Sequence, residues 1–189
     1  MFRKSERVFY FVRHGITAAN QNKLWCGGDW DIDLHDDGRK QALGLADKIL
    51  SLDAHFDKIF CSPMKRTIET ANLINHKSNK DIEIVENLRE WKIGSWEMTP
   101  WQSVLPSTDK WEDPPGGEAV AEFKKRTAAA ITYCMNESQS PLIVSHGALG
   151  LILSDHLGIE ERSILNCTLY KIFSFSEAGK IRWDLEELS

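Results

Sequence analysis

The hydrophobic period of the chain changes several times, and each change marks a predicted element. Residues 8–12, VFYFV, are five apolar positions in a row. Such a run fits a strand covered on both faces, as in a parallel sheet under two helical layers, and it predicts a strand over residues 7–12. Residues 36–50 then place Ala42, Leu45, Ala46 and Ile49 at i, i+3, i+4 and i+7, one face of a helix. A short strand is expected over 58–61, and Pro63 suits the first turn of a helix carrying Ile68, Ala71 and Ile74 on one side. A further strand follows at 82–85. Helical spacing returns over 118–137 through Val120, Phe123, Thr127, Ile131 and Cys134. A strand at 142–144 and a helix at 148–157 come next. Strands at 169–175 and 181–185 flank SEAGK, whose Gly179 suits a hairpin turn. Strand and helix alternate until this hairpin closes the chain. The order predicts an α/β fold: an α/β/α sandwich with a mostly parallel central sheet and a C-terminal hairpin.

Residues 86–117 break the pattern. They hold Trp91, Trp96, Trp101 and Trp111, four of the seven tryptophans, and four of the six prolines. A long irregular stretch inside a domain is commonly a lid or binding loop. The simpler expectation for any one of these tryptophans is a satellite hydrophobic cluster.

Length and composition narrow the class. The 189 residues, 42% hydrophobic and 27% charged, predict one domain over 1–189 with a core of ordinary size. No apolar run approaches the ~18 residues of a membrane span. The apolar run after the basic N-terminus is too short for a secretory core and lacks a small-residue cleavage site, so a cytoplasmic location is expected. Cys26, Cys61, Cys134 and Cys167 form no CxxC pair and read as reduced residues rather than a zinc or redox motif. A net charge of −5 argues against nucleic acid as a partner. It still allows a local cationic pocket for a small anion.

Candidate chemistry sits where strands end. VFYFV runs into Arg13, His14 and Gly15, and PLIVS at 141–145 runs into His146 and Gly147. The strand at 58–61 leads into a helix bearing Arg66. In open α/β sheets ligands bind outside the carboxyl ends of the strands, so Arg13, His14, Arg66 and His146 are expected to converge there. Taken singly, a histidine after a strand is more often a satisfied structural group, and Arg66 alone is expected at the surface. Together, two guanidinium groups make an oxyanion clamp, and amides at the helix starts after Gly15 and Gly147 add donors. A histidine in this setting either donates to a phosphate or attacks it. Attack requires the neutral form, which neighbouring arginines favour. Phosphoryl transfer needs mainly positioning and charge stabilisation, but these four residues include no group to protonate the leaving oxygen.

RHGITAAN, SPMKRTIETA, LREWKIGSWE and VSHG, in that order, resemble the histidine phosphatase superfamily, the phosphoglycerate-mutase-like proteins. DLHDDGRKQAL and PPGGEAVAEF extend the similarity over nearly the whole chain. The resemblance implies a three-layer α/β/α fold and chemistry without a metal or other cofactor. It implies His14 as the nucleophile that forms a phosphohistidine, with Arg13, Arg66 and His146 holding the phosphoryl group. Thr17, Asn20 and Gly147 would contact phosphate or substrate. Glu90, in LRE, would protonate the leaving group and then activate water, supplying the missing acid.

Three segments depart from the family pattern: WEM at 96–98 where WEG is frequent, GALGLIL after the second histidine, and LWCGGDWDIDL without the usual proline. All fall near the expected substrate mouth. The resulting expectation is a phosphatase acting on a small phosphorylated metabolite, with neither nucleic acid nor membrane as a partner. The alternatives are a cofactor-dependent phosphoglycerate mutase and a non-catalytic phospho-ligand-binding regulatory protein. Lys92 and Lys110 are the only cations of the loop after Glu90 before the next helix, few for a doubly anionic substrate.

Overall fold

Alternation along the first strand decides how the sheet is covered. Phe9 and Phe11 face one hydrophobic cluster, and Tyr10 and Val12 face the other. The computed structural model describes residues 7–52, 54–103, 111–160 and 163–189. Its strands are β1 (Val8–Arg13), β2 (Lys58–Cys61), β3 (Ile82–Ile84), β4 (Pro141–Ser145), β5 (Leu169–Glu177) and β6 (Lys180–Glu187). Its α-helices are α1 (Ala18–Gln21), α2 (Asp36–Ser51), α3 (Lys65–Asn75), α4 (Val120–Glu137) and α5 (Gly147–Leu157). The sheet order is β3-β2-β4-β1-β5-β6. The first four strands in that order are parallel, and β5 and β6 join antiparallel. This is the expected α/β/α sandwich.

The topology creates the crevice. From β1 the chain crosses over β4 to reach β2 and then β3, with α2 and α3 on one face. It returns to β4 with α4 on the other face, as right-handed crossovers require. α2 contributes Ala42, Leu45 and Ile49 to one cluster, while α4 and α5 contribute Phe123, Ile131, Leu149 and Ile152 to the opposite one. β1 and β4 are neighbours in register, Arg13 opposite Ser145. Their onward connections leave in opposite directions. A ligand crevice belongs at the carboxyl ends of such a pair.

Several boundaries differ from the sequence expectation for identifiable reasons. β1 starts at Val8 and includes Arg13, because Arg13 keeps its place in the ladder with Ser145. Pro63 does not enter the helix: α3 starts at Lys65 with Met64 as its cap residue. Thr67 Oγ1 donates back to Ser62 O at 2.9 Å, fixing the intervening turn. α4 begins at Val120, whose amide donates to Asp113 Oδ1 at 2.7 Å. The Glu118 carboxylate, left outside the helix, accepts from Arg126 instead. The hairpin turns on Ala178 and Gly179, with φ of 51° and 75°, the two left-handed residues that suit the twist of the flanking strands. Among the described residues between β3 and α4 the chain makes three 3-10 turns, at Glu86–Leu88, Gly94–Trp96 and Trp101–Ser103. Residues 104–110 of this segment lie outside the described residues. Among the described residues no helix is long and apolar enough to cross a membrane.

Backbone packing requires Gly15. A Cβ there would meet the Gly38 carbonyl oxygen at 2.5 Å, and a Cβ on Gly38 would meet the Ile16 carbonyl oxygen at 2.2 Å. The two glycines let the loop after β1 lie directly on the first turn of α2. Gly38→Ala forces this contact apart and is expected to destabilise by about 1–3 kcal/mol, the usual cost of overpacking. Urea denaturation measures it, and an unchanged midpoint would show that the loop and helix do not depend on the contact.

Candidate active site

His14 follows β1 and stays tied to β4. Its amide donates to Ser145 O at 3.0 Å, and its carbonyl accepts from Asn166 Nδ2 at 2.7 Å. The side chain is buried, with Nδ1 lying 2.8 Å from the Gly15 carbonyl. A carbonyl can only accept, so Nδ1 carries the proton and Nε2 keeps its lone pair. Arg66 Nε donates to Nε2 at 3.2 Å. Burial first, then the Arg66 and Arg13 charges, hold the imidazole pKa well below its ordinary 6.5. The ring is therefore neutral, with a lone pair on the nitrogen that faces the cationic cluster.

Arg66 is only 1% exposed. Its other nitrogens donate to Trp30 O at 3.2 Å and Gly27 O at 2.9 Å, so carbonyls of the 27–30 loop fix the guanidinium. That loop is held by Glu97, whose Oε1 accepts from the Asp29 and Trp30 amides at 2.9 and 3.2 Å. Arg13 donates from Nη1 to Ile164 O at 2.9 Å, and its buried Nε has no partner among the described residues. Gly147 makes room for it, since a Cβ there would stand 3.2 Å from the guanidinium carbon.

His146 is fully buried and packs edge-on to His14 with ring centroids 5.3 Å apart. Its Nε2 lies 2.7 Å from Ser62 Oγ. The Met64 amide donates to the same oxygen at 3.4 Å, which leaves the hydroxyl proton free to point at Nε2. With Ser62 donating to Nε2, the ring proton sits on Nδ1, which is buried without a partner among the described residues. Burial, followed by Arg66, His14 and Arg13, also keeps His146 well below 6.5. Two donors without partners, Arg13 Nε and His146 Nδ1, thus belong to one buried cluster, which is the signature of an anion site.

Glu90 lines the same cavity, about 270 Å³ in volume, that Arg13, His14, Arg66, Asn20 and Gly147 line. Its Oε1 accepts from the Trp91 amide at 3.0 Å and its Oε2 from the Ala148 amide, in the first turn of α5, at 3.3 Å. Arg126 of α4 fixes the backbone behind it. That guanidinium donates to the carbonyls of Asn87 (3.0 Å), Arg89 (2.6 Å) and Glu90 (3.0 Å), and grips both Glu118 oxygens at 2.6 and 2.8 Å.

The expected residues therefore fall into two groups. Arg13, His14, Asn20, Arg66, Glu90 and Gly147 border the cavity, whereas His146 lies beside His14 just outside that lining. Thr17 is buried and caps α1, its hydroxyl accepting from the Asn20 amide at 3.4 Å while the Asn20 side chain accepts from the Thr17 amide at 3.1 Å. This reciprocal box aims Asn20 and keeps Thr17 off the cavity surface. Ser62, Glu97 and Arg126 join the site without having been singled out by the sequence. Ser62 stands in SPMKRT and Glu97 in SWE, so the family motifs contain both. Nothing in the spacing of α4 distinguishes Arg126 from a surface cation. Among the described residues no group of three or more His, Cys, Asp or Glu side chains is arranged to hold a metal ion.

The two neutral imidazoles make stability depend on pH. As pH falls through about 6.5 the unfolded chain binds two protons that the folded chain refuses, so the unfolded state gains protons first and stability falls. The loss is at most about 1.4 kcal/mol per pH unit for each histidine. Urea midpoints should drop between about pH 7.5 and 5.5, and His146→Gln should flatten the decline. A pH-independent midpoint, or the same slope in the variant, contradicts the assignment of neutral buried rings.

Comparison with known proteins identifies the family. The model of the histidine phosphatase superfamily (branch 1) matches residues 9–180. A probable phosphoglycerate mutase, GpmB, of Salmonella paratyphi C is 33% identical over 181 residues, covering 86% of this chain and 83% of the relative. The structure of a putative alpha-ribazole-5'-P phosphatase from Escherichia coli K-12 superposes with a TM-score of 0.78 at 22% identity, covering 97% of this chain and 96% of that one. A mycobacterial glucosyl-3-phosphoglycerate phosphatase, solved as a complex with VO3, superposes with a TM-score of 0.78 at 21% identity, covering 96% and 98%. The match over nearly the whole chain shows that this protein belongs to the histidine phosphatase superfamily, branch 1.

Proposed function

We propose that this protein is a phosphomonoester hydrolase that works through a phosphohistidine on His14, without a metal. The observation that carries the reading is a neutral, buried His14, its Nε2 lone pair set among two arginines, on a cavity that Glu90 also borders. Arg66 donates to that lone pair at rest. An incoming phosphate takes over the donor and frees Nε2 to attack. The new N–P bond forms as the bond from phosphorus to the leaving oxygen breaks, and protonated Glu90 gives its proton to that oxygen. Water then attacks phosphorus while the Glu90 carboxylate takes a water proton. The N–P bond breaks, releasing inorganic phosphate and restoring His14. Arg13, Arg66 and the Nδ1–H of His146 stabilise the charge on the phosphoryl oxygens, the kind of preorganised donor whose loss typically costs about 10²–10³ in rate.

A mutase relative supports a second reading, transfer of the phosphoryl group between hydroxyls of phosphoglycerate. Lys92 does not favour it, since it pairs with Asp29 at 3.0 Å, and Lys110 lies outside the described residues. Phosphoglycerate interconversion assayed with and without a bisphosphoglycerate primer separates the two readings. The non-catalytic alternative predicts no turnover at any pH.

p-Nitrophenyl phosphate should be hydrolysed equally with and without a chelator, and His14→Ala should lower turnover by more than about 10³-fold. Glu90→Gln should give a burst of one equivalent of nitrophenol, which leaves without a proton, followed by slow turnover and trapped phosphohistidine. Wild-type turnover in His14→Ala would sink the mechanism.

Arg126 is a positioning residue in this scheme. Arg126→Gln frees the carbonyls of Asn87, Arg89 and Glu90, and a misplacement of about 1 Å can cost about 10²-fold. The expected result is a fall in kcat of that order with KM little changed, and no rescue by lysine, which lacks the planar fork. An unchanged kcat, or rescue by lysine, would remove the role.

A further inference from the structure

The cavity has two unlike halves. The phosphate half carries Arg13, His14 and Arg66, and the rest of the wall includes Trp25, Trp91, Trp96, Trp111, Ile93 and Leu151. We infer that, granted the hydrolytic reading above, the preferred substrates are phosphomonoesters whose leaving group is an uncharged aromatic ring system, and that carboxylated esters such as phosphoglycerate are disfavoured.

The tryptophans brace one another. Trp91 is stacked on Phe123 at 5.7 Å with an interplanar angle of 7°, and its Nε1 donates to Glu118 O at 2.8 Å. Trp96 and Trp111 meet Trp91 edge-on at 6.2 and 5.6 Å. Trp25 arrives from another loop, its backbone paired with Met98 and Thr99 at 2.8 and 2.9 Å. A ring entering this space finds indole faces and edges at the spacings that aromatic pairs favour. The buried indole N–H groups of Trp25 and Trp111 have no partner among the described residues.

Charge points the same way. Among the described residues the only cations lining the cavity are Arg13 and Arg66, both committed to the phosphate half. A substrate carboxylate would therefore meet indoles rather than a further cation among the described residues. Cys26 offers no anion to the cavity, because burial pushes its thiol pKa up to about 11. Size limits the guest. A cavity of about 150 Å³ holds benzene, so about 270 Å³ accommodates the phosphoryl group with one or two fused rings.

The test uses three esters of alkyl alcohols, so that leaving-group acidity is not the variable: 2-naphthylmethyl phosphate, glycerol 3-phosphate and 3-phosphoglycerate. Wild-type kcat/KM should fall in that order, with the first exceeding the last by at least about 100-fold, within the discrimination that apolar pockets reach. Trp25→Ala and Trp96→Ala should each lower the naphthylmethyl-to-glycerol ratio by about tenfold or more. A variant that merely folds poorly lowers both rates and leaves the ratio alone. Equal or better turnover of 3-phosphoglycerate, or ratios unchanged in both variants, overturns the inference. If no ester is turned over, the hydrolytic reading fails, and tryptophan-fluorescence titration with the same compounds still decides the preference. Binding of the naphthylmethyl ester at least about tenfold tighter than phosphoglycerate then upholds it, and equal affinities overturn it.

Discussion

The structure is organised around one unfavourable juxtaposition: a buried guanidinium, a part-buried one and two buried imidazoles at the carboxyl ends of β1 and β4. Burying a charge without partners is costly, and here Arg66 is almost fully enclosed. Three compensations keep the cluster in place. Both histidines remain neutral, so the cluster carries two positive charges rather than four. Backbone carbonyls of Gly27, Trp30 and Ile164 accept from the arginines. Glu90 supplies the nearby negative charge that most favours the charged form of Arg13. What stays uncompensated, Arg13 Nε and His146 Nδ1, is what an anion can satisfy.

Each compensation depends on residues further out. Carbonyls accept in the right direction only if their loop is rigid, and Glu97 holds the amides of that loop. Glu90 is held by the first turn of α5 and by its own backbone, which Arg126 ties to α4. Arg126 also stacks over Phe123, its guanidinium carbon 4.8 Å from the ring centre, and Phe123 supports Trp91. The acid and the aromatic wall therefore share one anchor. A displacement of α4 would move both, so the positions of Glu90 and of the aromatic wall are mechanically coupled in this fold.

These layers are unequally legible in the sequence. The strands announce themselves because burial on both faces demands continuous apolar runs, as in VFYFV and PLIVS. Arg13, His14 and His146 stand out because a buried strand gains nothing from ending in a cation or an imidazole unless a ligand meets it there. Arg66 is legible from its place after a strand's carboxyl end, whereas Glu90 becomes legible only through the family motifs. Thr17 is expected as a ligand contact and is found as a cap, because a threonine after RHG looks alike whether it caps a helix or faces a cavity. The role of Gly15 is hidden because its partner, Gly38, is distant in sequence. Arg126 carries no signal, since five hydrogen bonds from one side chain to three carbonyls and a carboxylate exist only after α4 is packed.

The departure at WEM shows how local strain and specificity meet. Met98 has φ of 62°, a conformation that costs a non-glycine residue about 1–2 kcal/mol, and it stands where the family pattern frequently has glycine. Its amide donates to Trp25 O at 2.8 Å, and the next carbonyl, of Thr99, accepts from Trp25 N at 2.9 Å. This backbone pair is what over-determines the strained residue. It also fixes Trp25 at the cavity wall. Glu97, directly before Met98, holds the loop that carries the carbonyls on Arg66. One short turn therefore holds both Trp25 at the cavity wall and the loop whose carbonyls accept from Arg66. A side chain in place of glycine narrows the conformations open to that turn when the chain is unfolded. The strain in the folded state is thus partly offset by a less flexible unfolded turn, at the point where the phosphate and leaving-group halves of the cavity are joined.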